Sequence, residues 1–315
     1  MQLNVLVMST KRKRRIAPNH LCLRSLQTIP SGQRLEQWVA RLSDSVVETC
    51  AAYELYAGDH WQIARSLPGQ VAINEWDVCL WVCSPGYGLI KAGTMVQPYS
   101  ATLSVTHPDF ICDRSADDRI KAQQRWWAGL CSWSGPDPNS PRSVAEIVKR
   151  APNTPMVVIA SPAFIKFLEL DLLTARSEMA TTELLILISG GSKKNGVLAE
   201  HLLPSNARLQ GALGGALMSL NVRTLRYLLD QPPEVKERLA DAWSARLLRV
   251  LEQSPTIERP VRKQLTDDEV RDFIRQMRES QSQSSWSPLL ARLRAVGCAC
   301  EQKRFRGLFA DVQRE

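Results

Sequence analysis

An apolar run that ends abruptly in Ser84 and Pro85 constrains the fold of this chain more than any other feature. Residues 78–83 have the composition and length of a buried β-strand, and the sequence Ser-Pro-Gly-Tyr-Gly follows at once. Proline removes a backbone donor and glycine admits positive φ angles, so the chain must turn sharply here. Polar groups that follow a strand of an open α/β sheet lie at its carboxyl end, where such sheets bind ligands.

Length and charge narrow the class of protein. A chain of 315 residues is longer than one core usually needs, so we expect a large domain and a smaller one. The net charge of +8 favours an acidic partner, of which nucleic acid is the commonest. The sequence has no apolar run of about 18 residues and no signal-peptide pattern, so we expect a cytoplasmic protein without a membrane partner.

The eight cysteines form no Cys-x-x-Cys pair, so we expect neither a bound metal nor a cofactor. Cys83 stands at the end of the predicted strand beside Ser84. A small buried residue is the more common role for such a cysteine, and a nucleophilic role requires a nearby base or cation.

A second dense segment lies upstream, at residues 53–61. It holds Glu54, Tyr56 and Asp59 together with a second phenol, a histidine and an indole. We interpret this segment as one wall of a pocket. Ser84 and Tyr87 in the turn, with Tyr99 further along the chain, then form the facing wall.

Two basic segments follow predicted strands. Lys11 and Arg12 open a run of five basic residues after the strand at residues 5–8, and we predict Arg12 to bind DNA. Lys193 and Lys194 lie in a Gly- and Ser-containing segment after the strand at residues 184–188, where lysines and backbone amides favour phosphate binding. The spacing of a Walker A loop is absent there.

The organisation changes after residue 253. We predict an α/β domain at residues 1–253, a linker at 254–264 and a small all-helical module at 265–315. Thr266 and Glu269 form a capping box for its first helix, and Ser287, Pro288 and Gly297 are expected to delimit the second.

This module has the pattern of a helix-turn-helix-like domain with a basic face. The second helix is expected to turn Leu289, Leu290, Leu293 and Val296 inward. A third helix is expected to start at Cys300. The residues predicted to meet DNA phosphates are Arg292, Arg294, Lys303 and Arg304. A helical packing module is the alternative.

The motifs "MSTKRKRR", "ELYAGDHW" and "SPGYGLIKAGTMVQPYSATL" follow one another in the order typical of the YaaA/DUF6884 superfamily. Later segments, "VVIASPAFIKFL" and "SKKNGVLAEHLL", continue the resemblance, which covers residues 4–230. The resemblance implies an α/β fold with a YaaA-like mixed sheet flanked by helices. In that family a lysine after the first strand contributes to the pocket, and Lys11 or Arg12 matches it.

Within this superfamily the chain looks most like the members that act in 7-deazaguanine DNA modification. That likeness implies an enzyme that hydrates the nitrile of a 7-cyano-7-deazaguanine base in DNA to the 7-amido form, with other proteins of the modification system as partners. A non-catalytic YaaA-like DNA-binding protein of a stress or defence pathway is one alternative. An enzyme acting on free nucleobases or nucleosides is another.

Nitrile hydration needs a nucleophile at carbon and a proton donor at nitrogen. We predict Glu54 or Asp59 as the base that orients water and Lys11 or Arg12 as its electrostatic partner. Tyr87 or Tyr99 is the predicted proton donor, and Tyr56 and Ser84 complete the pocket. In a covalent variant of the mechanism, Cys83 forms a thioimidate.

Overall fold

The structure is a computed structural model that describes residues 1–70, 76–113, 118–190, 196–231, 238–255, 262–280 and 285–314. The chain divides into two compact units, Met1–Pro255 (unit 1) and Thr256–Glu315 (unit 2). No helix in the described ranges has the length and apolar character that crossing a bilayer demands.

Unit 1 is built on one five-stranded sheet and one two-stranded sheet. Its strands are β1 (Gln2–Met8), β2 (Cys50–Ala51), β3 (Asp77–Ser84), β4 (Gly88–Lys91), β5 (Met95–Val96), β6 (Met156–Ile159) and β7 (Leu185–Ile188). The large sheet has the order β4-β3-β1-β6-β7, and β2 pairs with β5. Strands β1, β3, β6 and β7 run parallel, whereas β4 returns antiparallel to β3.

The apolar runs of the sequence form the interior strands of this sheet. Strand β1 is buried from its second residue to its last, and β6 and β7 are buried throughout. Parallel strands covered on both faces read as continuous apolar segments rather than as an alternating pattern. The three strands predicted from such runs are present, and the predicted α/β class with a mixed sheet is confirmed.

Helices cover the sheet of unit 1. They are α1 (Ser31–Asp44), α2 (Ala52–Leu55), α3 (Asp59–Gln70), α4 (Arg119–Ser132), α5 (Val144–Arg150), α6 (Pro162–Glu178), α7 (Leu209–Leu213), α8 (Leu220–Leu229) and α9 (Leu239–Gln253). Helix α3 packs on β3 and on α8, and α8 packs on β6 and β7. Helix α6 packs on α4 and α5.

The strand order creates a switch point beside β1. From β1 the chain moves outward to β3 and β4, and it then crosses to the other side of β1 to form β6 and β7. Connections therefore leave the neighbouring carboxyl ends of β1 and β6 in opposite directions. A crevice opens at such a position in α/β sheets, and ligands bind there.

Unit 2 contains α10 (Asp267–Ser280), α11 (Trp286–Ala295) and α12 (Gln302–Arg314), with a parallel pair of short strands, β8 (Lys263–Gln264) and β9 (Cys298–Ala299). It has its own apolar core, to which all three helices contribute. The predicted C-terminal helical module is thus present.

The capping box of α10 forms as predicted. The Glu269 amide donates to Thr266 Oγ1 at 3.3 Å, and the Thr266 amide donates to a Glu269 carboxylate oxygen at 2.7 Å. The predicted start of α11 is wrong, because the helix begins at Trp286 with Ser285 as its N-cap. Pro288 lies within the first turn, where amides have no helical acceptor, so a proline is tolerated there.

Two further details of unit 2 differ from the predictions. Val296 is exposed rather than packed inward, because α11 ends at Ala295 and the helical spacing no longer applies beyond it. The third helix begins at Gln302, two residues later than Cys300.

Candidate functional site

A cleft of about 790 Å³ lies at the switch point, between the carboxyl ends of β1 and β6. Met8 and Ile159 end these two strands and form the floor of the cleft. The walls come from the loop after β1, the starts of α3 and α6, and the segment that leads into α8. A volume of this size is typical of sites for small ligands.

The loop after β1 is held in place by the segment that precedes α3. The Ala57 amide donates to the carbonyl of Arg12 at 3.0 Å, and the Thr10 hydroxyl is 2.9 Å from the Ala57 carbonyl. The Arg14 amide donates to the carbonyl of Leu55 at 2.9 Å. These bonds hold the predicted cations, Lys11 and Arg12, at the mouth of the cleft.

Lys11 and Arg12 are exposed, and neither makes an ion pair with any carboxylate in the described ranges. Two helix starts add to this positive potential. Helix α3 begins at Asp59, and α6 follows Ser161, whose side chain makes no capping hydrogen bond. A helix N-terminus carries partial positive charge and free backbone donors. The cleft can therefore hold an anionic group such as a phosphate.

Asp59 lines the cleft, as its predicted role requires, but its carboxylate is already engaged. Arg223 on α8 contacts both carboxylate oxygens, at 2.9 and 3.0 Å, and Ser219 donates its hydroxyl to one of them. The Ser219 hydrogen bond, with the Arg223 guanidinium, lowers the pKa of Asp59 below its ordinary value. This ionised, paired carboxylate fixes the segment before α8 and is not poised as a free base.

Several residues of the cleft carry no signal of their own in the sequence. Phe164 on α6 and Met218 before α8 give it an apolar wall, and Asn221 donates to the Ala160 carbonyl at 3.2 Å. His60 follows Asp59 in α3, and burial lowers its pKa to about 4. At neutral pH its imidazole is uncharged. The only clue to His60 was its place in the dense segment at residues 53–61.

The predicted phenols come together, but they form a buried hydrogen-bonded cluster rather than a wall of the cleft. Tyr99 Oη lies 2.6 Å from Ser84 Oγ and 3.0 Å from Tyr56 Oη. Ser84 Oγ also accepts the amides of Gly86 and Tyr87, at 3.2 and 2.9 Å. Burial is the main cause that raises the pKa of Tyr56 and of Tyr99.

This phenol cluster (Ser84, Tyr56 and Tyr99) is packed tightly around the turn after β3. A Cβ added to Gly86 would lie 2.4 Å from Tyr99 Cδ2, so only glycine fits there. Lys13 covers the other side, with Nζ 4.2 Å from the centroid of the Tyr99 ring, and its pKa is lowered to about 8 by burial. None of the three hydroxyl side chains lines the cleft.

The remaining predicted catalytic residues lie elsewhere in unit 1. Tyr87 accepts the Gln97 amide at 3.0 Å and lines a separate cavity of about 270 Å³ beside Trp133. Glu54 is exposed in α2 and lies outside the cleft. Cys83 is fully buried, and burial raises its pKa well above the ordinary value, so its thiol is protonated and shielded.

The predicted DNA-binding residues differ in their exposure to solvent and in the contacts that their side chains already make. In unit 2, Arg292 and Lys303 are exposed. Arg294 is half-buried near the Cys300 carbonyl, and Arg304 pairs with Asp267 and donates to the Leu265 carbonyl at 2.9 Å. Lys193 and Lys194 lie outside the described residues.

The described residues offer no group of three or more His, Cys, Asp or Glu side chains that could hold a metal ion. Comparison with known proteins adds no assignment, since no family profile, no curated protein and no solved structure matches this chain.

Proposed function

We propose that unit 1 binds a nucleotide of DNA in the switch-point cleft. One observation supports this most strongly: the cleft joins two cations, Lys11 and Arg12, and two helix starts to an apolar wall in a single cavity. A nucleotide matches these two parts of the cleft, because it has an anionic phosphate at one end and a planar, weakly polar base at the other.

In this arrangement the phosphate meets Lys11, Arg12 and the first turns of α3 and α6. The base meets Phe164 and Met218, because aromatic and apolar side chains contact the faces of bases regardless of their identity. The net charge of the chain, +8, favours a nucleic acid strand as the source of the nucleotide. We also propose that the protein acts in the cytoplasm, as the sequence led us to expect.

Binding has more support than nitrile hydration. Of the groups predicted for hydration, Lys11, Arg12 and Asp59 line the cleft, whereas Cys83, Tyr87 and Tyr99 do not. Asp59 is held by Arg223. The function that we favour is therefore that of a DNA-binding protein, the first alternative considered from the sequence. To test for hydration, DNA that carries the 7-cyano base is incubated with the protein, and its nucleosides are then analysed by mass spectrometry for the 7-amido form.

Two matched double variants test the proposal. In K11Q/R12Q both cleft cations are neutralised, and in R14Q/R15Q the same charge is removed from the adjacent residues, which do not line the cleft. The ion pair between Arg15 and Glu48 is exposed, so its loss has little effect on stability. Binding of deoxyguanosine monophosphate and of a labelled DNA oligonucleotide is measured by calorimetry and fluorescence anisotropy.

We expect K11Q/R12Q to weaken the affinity for both ligands by about tenfold or more. A hydrogen bond from a charged donor contributes more binding free energy than one from a neutral donor. The control should change the mononucleotide affinity by less than about twofold, because exposed charges outside the cleft are screened. Equal losses in the two double variants would show that binding depends on overall charge and would refute the cleft as the site.

A further inference from the structure

The segment between α7 and α8 presents apolar side chains to solvent at the rim of the cleft. Met218 is 93% exposed and Leu217 is 55% exposed, yet Met218 also lines the cleft. Contiguous exposed apolar side chains mark interaction sites and ligand-binding grooves. We call residues 214–219 the Met218 loop.

The Met218 loop is held firmly on the side that faces the protein. Gly214 and Gly215 have φ angles of +67° and +74°, a conformation that other residues rarely adopt. Gln210 donates to the Gly215 carbonyl at 2.8 Å. A Cβ on Gly215 would lie 2.2 Å from Arg223 Nε, so the guanidinium packs directly on the loop backbone.

The same guanidinium ties this loop to the cleft. Arg223 binds the Asp59 carboxylate at the start of α3, and Ser219 at the end of the loop donates to that carboxylate. Opposite charges and hydrogen bonds thus fix the base of the loop. Its tip, with Leu217 and Met218, is left projecting.

We propose that the Met218 loop is a wedge that enters double-stranded DNA beside the nucleotide held in the cleft and keeps that nucleotide unstacked. This inference rests on the proposed nucleotide binding and specifies its ligand: a nucleotide within a duplex rather than a free one. A free nucleotide ends at the cleft and offers no contact to the projecting Leu217, which does not line the cleft. In a duplex, the bases that flank the bound nucleotide present apolar faces to them.

Charge and shape favour this occupant. Lys11 and Arg12 stand in the same cleft and attract a phosphate backbone, which brings the loop tip to the neighbouring base step. Apolar side chains, methionine among them, separate base steps in other DNA-bound proteins. Methionine is unbranched and flexible, so it fits an irregular gap between bases.

The experiment uses the full chain and a duplex that carries 2-aminopurine, a base whose fluorescence rises when it is unstacked. Leu217→Ser removes an apolar side chain at the loop tip that does not line the cleft, and Leu217→Met keeps an apolar side chain of similar size. Leu248→Ser is the matched control, because Leu248 on α9 is also exposed but lies outside the cleft. Each protein is tested with the duplex and, separately, with deoxyguanosine monophosphate.

We expect the wild-type protein and the Leu248→Ser variant to raise the duplex fluorescence about twofold or more, and Leu217→Met to retain most of that rise. Leu217→Ser should lose about half of it or more, while the mononucleotide affinity stays within about twofold of wild type, since Leu217 does not line the cleft and the phosphate contacts are untouched.

The outcomes separate this inference from the proposed function. If the wild-type protein binds the mononucleotide but leaves duplex fluorescence unchanged, or if Leu217→Ser behaves as wild type, the wedge is refuted and the cleft stands. If neither ligand binds the wild-type protein, the proposed function itself fails.

Discussion

Replacing Tyr99 with phenylalanine tests whether the phenol cluster serves the fold or the ligand. Ser84 Oγ accepts two turn amides, so its own proton is directed to Tyr99 Oη, 2.6 Å away. Tyr99 Oη is also 3.0 Å from Tyr56 Oη. The Tyr99 hydroxyl therefore stands between two others in a fully buried site, and the side chain of Ser9, which lines the cleft, is a third hydrogen-bond partner.

The expected loss follows mainly from the hydrogen bonds with Ser84 and Tyr56. Each contributes about 1 kcal/mol net, and a buried hydroxyl left without its partner adds a further penalty, so Tyr99→Phe should lower the free energy of unfolding by about 2–3 kcal/mol. For a unit of this size that corresponds to a fall in Tm of about 4–12 °C. The aromatic ring remains, so packing against Gly86 is unchanged.

Urea unfolding followed by tryptophan fluorescence measures this change. Of the nine tryptophans, all but Trp286 belong to unit 1, so the signal reports that unit. Tyr53→Phe is the control. Tyr53 is 42% exposed, and losing its hydroxyl should change the free energy of unfolding by less than about 0.5 kcal/mol.

Two results would refute this reasoning. A Tyr99→Phe variant as stable as Tyr53→Phe would mean that the buried hydrogen bonds contribute nothing. A variant that keeps its stability but loses nucleotide binding would mean that the phenols contact the ligand, and the cleft would then be wrongly assigned. We expect unchanged mononucleotide affinity, because Tyr99 does not line the cleft.

Two further predictions concern His60 and Arg142. The pKa of His60 falls from 6.5 in the unfolded chain to about 4 in the folded protein. As the pH is lowered, the unfolded chain therefore binds the proton before the folded protein does. The contribution to stability should be full above pH 6.5 and decline as the pH falls from 6.5 to 4. Urea unfolding at several pH values should show this decline weakened in His60→Gln, and an identical pH dependence in both proteins would contradict the assignment. Arg142 donates to the carbonyls of Tyr87, Leu89, Leu130 and Trp133. Arg142→Lys keeps the charge but loses the planar guanidinium with its several N–H donors, so the free energy of unfolding should fall by about 2–4 kcal/mol in the same assay. An unfolding free energy equal to that of the wild type would show that a lysine satisfies these carbonyls.

The sequence predicted the strands well because the central sheet is buried on both faces. Residues 5–8, 78–83 and 184–188 are uninterrupted apolar runs. The first two fall within observed strands, and the third matches β7 except for Leu184, which precedes the strand. The capping box of α10 was equally readable, since its two hydrogen bonds depend only on residues three apart. Features of this kind depend on residues that are close together in the sequence, so the sequence predicts them.

The sequence also grouped the phenols but did not reveal what they contact. Tyr56 and Tyr99 meet at Ser84, as the dense segments indicated. A hydroxyl in the interior must find a partner, and three hydroxyls close together satisfy one another without a ligand. Spacing along the chain does not distinguish this arrangement from a pocket wall.

The cleft depends on long-range order, which periodicity does not contain. Lys11, Asp59, Phe164 and Met218 line it only because β6 lies next to β1 and α8 next to α3. The basic loop could be singled out because it follows a clear strand. Phe164 and Met218, taken alone, look like ordinary apolar residues of helical segments.

The chain passes through the same dipeptide, Ser-Pro, at the carboxyl ends of two strands of this sheet. The different surroundings of the two dipeptides explain where the site lies. After β3, Ser84-Pro85 leads into a hairpin with the edge strand β4, and the Ser84 hydroxyl is consumed by the turn amides and by Tyr99. After β6, Ser161-Pro162 leads into α6 at the switch point, and the Ser161 side chain is exposed and makes no capping bond. A strand that returns as a hairpin folds its polar groups back onto itself, whereas a strand that continues into a helix directs free amides beyond the sheet. The same local sequence thus gives a structural turn at one strand and one wall of a binding cleft at the other, because the topology differs.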